Sequence, residues 1–141
     1  MSYQDAESSS SKLDQKTLHL PYRLGAFLAL QAFFSIAAGA FGAHGLTEIL
    51  DPKSLGWWHT ASQYLMYHAL GGLVVVALSA YLPSTKSILL FFCVGNLLFA
   101  GSLYAMALTG YTLLGAITPL GGLCYLIAWG LLASRLWHCR H

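Results

Sequence analysis

The sequence predicts an all-α fold, an antiparallel bundle of four membrane-spanning helices joined by short loops, and three observations carry that prediction. Asp, Glu, Lys and Arg make up only 9% of the 141 residues against 57% hydrophobic, whereas a soluble domain carries about 25% charge. The few charges are segregated: none lies from Leu24 to Ala43, from Ser54 to Thr85, or from Ser87 to Ser134, stretches of 20, 32 and 48 residues. A spanning helix needs roughly 20 apolar residues to cross a hydrocarbon core about 30 Å thick, so these stretches hold one, one and two spans.

Residues 1–22 are polar, with the run SSSS and mixed charges, and cannot bury enough apolar surface to offset the entropy of ordering. They predict a disordered cytoplasmic tail ahead of one transmembrane domain, 23–136. The first span is predicted at 24–44. Arg23, the apolar run behind it and AGA at 38–40 also fit a secretory signal, but the long polar lead and full spanning length favour a retained helix. Gly25, Ala29, Ala32, Ile36, Gly39 and Ala43 recur at helical steps on one face. Small residues let helix backbones approach closely in lipid, so this stripe predicts that Gly39 and Ala43 lie at a helix contact.

The link GLTEILDPKSLG is predicted to face outward, with a short interfacial helix broken at Pro52. The second span, 57–82, offers Ala61, Tyr64, His68, Gly72, Val75 and Ser79 on one face, and a short turn around Pro83 leads to the third, 87–109. That span carries Gly95, Ser102 and Thr109 at heptad spacing. Only GYT separates it from the fourth, 113–134, where Gly115, Thr118 and Gly122 form the seam and Pro119 is expected to kink the helix. Such short connections make successive helices neighbours. The tetrad LGGL, at 70–73 and 120–123, hints at a duplicated hairpin. Residues 137–141 form a short cytoplasmic tail.

Lys12, Lys16, Arg23, Lys86, Arg135 and Arg140 fall on one side of this topology and Lys53 alone on the other. The bias places both termini in the cytoplasm. The net charge of +2 is too small to point to nucleic acid. Cys93, Cys124 and Cys139 show no disulfide, redox or zinc spacing.

Polar side chains at membrane depth are costly unless paired. A rise of 1.5 Å per residue puts His68 and Asn96 near the midplane, where they can meet. Gln31 lies somewhat toward the cytoplasm, Tyr64, Ser102, Tyr104 and Thr118 lie in the outer half, and His44 sits at the outer rim. Each has two readings, interhelical hydrogen-bonding group or ligand and proton site. No spacing suggests a metal site, a nucleotide loop or a nucleophile with its base, so no enzyme activity and no cofactor are predicted.

GAFGAHGL at 39–46, YHAL at 67–70, LFAGSLYAMAL at 98–108 and TPLGGL at 118–123 together resemble the YgdD-type family of small bacterial inner-membrane proteins, which has a eukaryotic transmembrane relative. The resemblance covers roughly residues 24–134. It implies four spans and an inner-membrane location, carries no established activity, and points to Gly42, His44, His68, Gly101, Ser102, Tyr104, Thr118, Pro119 and Gly122. Ala100 stands where the family form SGSLY has serine. The reading favoured is a non-enzymatic membrane protein, forming a homo-oligomer or joining a membrane-protein partner. A small-solute carrier or channel with an outer polar cleft is the alternative, and a haem- or quinone-binding protein the third.

Overall fold

In the computed structural model, the backbone is described for residues 3–82 and 84–138, and side chains within that range from residue 21 onward. Four helices follow one another: α1 Tyr3–His44, α2 Pro52–Leu78, α3 Lys86–Thr109 and α4 Thr118–His138, with a 3-10 turn at Thr112–Ala116 before α4. Four segments, Pro21–His44, Pro52–Leu78, Lys86–Thr109 and Thr112–His138, are long and apolar enough to cross a membrane. Their 24 to 27 residues correspond to about 36 to 40 Å of helix.

The ends depart from expectation for local reasons. The backbone is helical from Tyr3, where an irregular tail was predicted through residue 22, and Pro21 lies inside the helix. Between the serines and the proline stand Lys, Leu, Asp, Gln, Lys, Thr, Leu, His and Leu, mostly residues that favour helix. Pro52 begins α2 rather than breaking a helix. It occupies the first turn, where its missing donor costs nothing, and Asp51 caps it, with Oδ1 accepting from the backbone N–H of Lys53 at 2.9 Å and of Ser54 at 3.2 Å. The Ser54 hydroxyl donates to Asp51 Oδ2 at 2.6 Å. That hydroxyl first, and the Ser54 amide next, hold the Asp51 carboxyl below its ordinary value, because both favour the anion.

At the far end of α3, Gly110 adopts φ 72° and donates its N–H to the Met106 carbonyl at 2.9 Å. This left-handed closure ends the helix. Pro119 falls in the first turn of α4 and is exposed. The predicted kink is therefore a break, since the chain leaves a 3-10 turn and restarts one residue before the proline.

Each helix packs on its chain neighbour, and α3 also touches α1. α3 is the most buried of the four, and α1 and α4 the least. α4 leans chiefly on α3. At that contact a Cβ on Gly121 would lie 2.8 Å from both Cα and Cβ of Phe99, with the Phe99 backbone nitrogen closer still. Two apolar clusters result, one around Leu28, Val75, Phe92 and Leu132, the other around Ala38, Trp58, Leu65 and Ala107.

The face that α1 turns inward is not the predicted stripe. Leu28, Gln31, Ser35 and Ala38 are buried, whereas Ala29, Ile36 and Ala43 are exposed and Gly39 is half-buried at the edge. The rotation is about 100°, one residue. Gln31 and Ser35 explain it: each needs a polar partner away from lipid, and that requirement outweighs the close approach offered by alanines.

Candidate functional site, a polar layer between two apolar clusters

Three side chains from three helices form one hydrogen-bonded chain. Tyr125 on α4 donates its hydroxyl to Asn96 Oδ1 at 2.9 Å, and Asn96 on α3 donates Nδ2 to Gln31 Oε1 on α1 at 2.8 Å. Asn96 is 1% exposed, so both bonds are shielded from water and lipid. His68 joins through its ring, stacked on that of Tyr125 with centroids 3.4 Å apart and planes 5° from parallel. Its Nδ1 lies 2.7 Å from the Tyr64 carbonyl oxygen. A carbonyl can only accept, so Nδ1 carries the hydrogen in this bond. His68 and Asn96 thus share a layer through Tyr125 rather than through a direct bond.

A second group of polar contacts lies nearer the α1–α2 link. Ser35 Oγ donates to the Ser62 carbonyl at 2.7 Å, Ser62 Oγ and Tyr104 Oη are 2.9 Å apart, and Trp58 Nε1 donates to the Ala38 carbonyl at 2.7 Å. Trp58 fills the space over Gly42, where a Cβ would come within 2.5 Å of its ring. Ser102 and Thr118 pair separately, their hydroxyl oxygens 2.8 Å apart. Ser102 and Tyr104 are two positions apart on α3 and so point to different flanks.

The predicted site residues therefore fall into four places. His68 and Asn96 lie in the central layer, with Tyr64 supplying a carbonyl and an aromatic neighbour. Tyr104 on α3 pairs with Ser62 on α2 and meets the Phe34 ring of α1 edge-on, and Ser102 with Thr118 joins α3 to the start of α4. His44 is exposed at the end of α1, where Thr47 Oγ1 approaches its backbone carbonyl at 3.5 Å. The structure does not bring His44 to the others. Of the predicted packing residues, Gly42 sits at a contact, Gly101 has open space where a Cβ would stand, and Gly122 has Phe99 only at 4.0 Å. The two LGGL tetrads are used differently, since Gly71 meets the Trp129 ring where Gly121 meets the Phe99 backbone, and Gly72 meets Leu28 closely where Gly122 has Phe99 only at 4.0 Å. Cys139 and the tail after it lie outside the described residues.

Sequence reasoning missed Tyr125, Ser35, Ser62 and Trp58. A signal for Tyr125 existed: it is four residues past Gly121, on the same helix face, and a tyrosine at mid-helix needs a partner for its hydroxyl.

The sequence matches, over residues 38–122, the model of the family described as Protein of unknown function (DUF423). The chain belongs to this family. Among DUF423 relatives, the UPF0382 membrane protein YwdK of Bacillus subtilis is 46% identical over 106 residues, 72% of this chain and 85% of the relative. A UPF0382 membrane protein of Staphylococcus epidermidis is 46% identical over 108 residues, 72% and 84% of the two chains. The UPF0382 inner membrane protein YgdD of Escherichia coli is 34% identical over 111 residues, 75% and 82%. No solved structure matches. The resemblance read from the four motifs is thus confirmed, and the chain is a small multi-pass membrane protein of the DUF423 family. Asn96 lies inside the matched segment, and Gln31 and Tyr125 flank it.

Proposed function

We propose that this DUF423 protein is a non-enzymatic component of the cytoplasmic membrane that acts by associating through α1 with a second copy of itself. One observation carries the reading. Ala29, Ile36 and Ala43, spaced by heptads, face outward, with Ala32 and Gly39 half-buried beside them. This seam fits close helix approach, the main source of helix association in lipid. The carrier reading has less support, because the outer hydroxyls pair off on different flanks of α3 instead of converging on one passage.

The test is the assembled state of the full chain. In a background with its cysteines replaced by serine, Ile36→Cys is expected to form disulfide-linked dimers when native membranes are treated with a membrane-permeant copper–phenanthroline oxidant, whereas Leu126→Cys on α4 does not. A monomeric mass in mild detergent together with no cross-link at position 36 would overturn the proposal.

The same reading places both termini in the cytoplasm, supported by six basic residues against one and by the four-helix count. The printed name of the Escherichia coli relative supports the inner membrane. Reporters fused after Lys16, at Pro52 and after Arg140 are expected to read inside, outside and inside. An outside reading at the C-terminus contradicts this orientation.

A further inference from the structure

The chain of hydrogen bonds through Asn96 ends on a group with nothing to bond. Gln31 is 8% exposed, its Oε1 accepts from Asn96, and its Nε2 is shielded and has no partner among the described residues. An unpaired buried amide donor costs about 1 to 3 kcal/mol. Gln31 lines an open-sided groove of about 280 Å³ between α1 and α3, whose walls include Phe27, Leu30, Phe34, Leu97 and Gly101. Groove and unpaired donor are independent observations, and together they specify a ligand: an apolar body carrying one hydrogen-bond acceptor.

Depth narrows the class. Gln31 stands 10 residues from one end of the Pro21–His44 segment and 13 from the other, about 15 and 20 Å along the helix, near mid-membrane. Ester carbonyls of membrane lipids sit at the edge of the hydrocarbon, about 15 Å from its middle. A carbonyl that reaches Gln31 therefore belongs to a molecule dissolved in the core. The groove has room for a single ring, its volume lying just below the range of roughly 300 to 1,000 Å³ for drug-sized ligand sites. Phe27, Phe34 and Tyr104 along it offer ring faces and edges to a flat partner.

We propose that this groove binds the ring of a lipid-soluble quinone, one carbonyl oxygen accepting a hydrogen bond from Gln31 Nε2 after a small rotation of that amide brings the shielded donor to the groove wall, and the tail leaving through the open side. The site lies on a different flank of α1 from Ile36, so it stands independently of self-association.

The probe is a decyl-substituted benzoquinone, titrated by calorimetry into the full chain in phosphatidylcholine nanodiscs. Saturable binding is expected, weakened about tenfold by Gln31→Leu, which removes the donor. Gly101→Leu is expected to weaken it at least as much by filling the groove. That variant is the safeguard against misfolding, since nothing lies within 4 Å of a Cβ at Gly101. Gly130→Leu, at an equally open position on α4, should bind as the parent does. Absence of saturable binding, or equal affinity in Gly101→Leu, would overturn the proposal. So would native mass spectrometry showing a diacyl lipid that the quinone cannot displace and that both variants lose, which assigns the acceptor to a lipid ester.

Discussion

Gly121→Leu is expected to prevent α4 from docking, so that the full chain loses its cooperative thermal transition in detergent and elutes as aggregate. The atoms that a side chain would strike are Cα, Cβ and the backbone nitrogen of Phe99, and no rotamer change moves them aside. Even Gly121→Ala places its methyl carbon inside this contact, and overpacking of that kind costs about 1 to 3 kcal/mol. Gly122→Ala is the matched control, because its Cβ meets Phe99 only at 4.0 Å. A Gly121→Leu protein as stable as the parent would show that α3 and α4 are farther apart than described.

Asn96→Leu is the second large effect, with an expected cost of about 1 to 3 kcal/mol in reversible unfolding. The substitution removes two bonds at once and leaves the Tyr125 hydroxyl and the Gln31 amide facing an alkyl group. Stranding a buried polar group costs about 1 to 3 kcal/mol in water-soluble proteins. Interhelical hydrogen bonds in a membrane average only about 0.6 kcal/mol, because the unfolded chain also finds partners. The expected cost lies above one such average bond because the substitution strands two groups at once. Ser102→Ala, which removes the bond from a buried hydroxyl to the half-buried Thr118, is expected to cost nearer the 0.6 kcal/mol average. Equal stability of Asn96→Leu and the parent would remove the central chain as a source of cohesion.

The four spans were legible because charge-free length is a one-dimensional property that lipid enforces directly. Span boundaries shifted where local chemistry decides, as at Asp51 with Pro52, whose cap starts a helix five residues ahead of the predicted 57. The facing of α1 was not legible from small residues alone. Its rotation is set by Gln31 and Ser35, whose partners Asn96 and the Ser62 carbonyl are 65 and 27 positions away, and such partners become neighbours only after folding. Asn96 and His68 could be placed at one depth by counting rise. Tyr125, which links them, was overlooked because a tyrosine in an apolar run reads as bulk until a partner for its hydroxyl is sought.

The lopsided support of α4 bears on the order in which the protein is made. Helices that pack on their immediate predecessors need little long-range search, and α1, α2 and α3 have all been synthesised before α4 emerges. Gln31 must then wait for Asn96, and Asn96 for Tyr125, so the central chain is completed from one end during biogenesis. Until the last helix arrives, the Asn96 side-chain oxygen lacks the Tyr125 hydroxyl that it accepts from in the folded chain, so docking of α4 completes the layer.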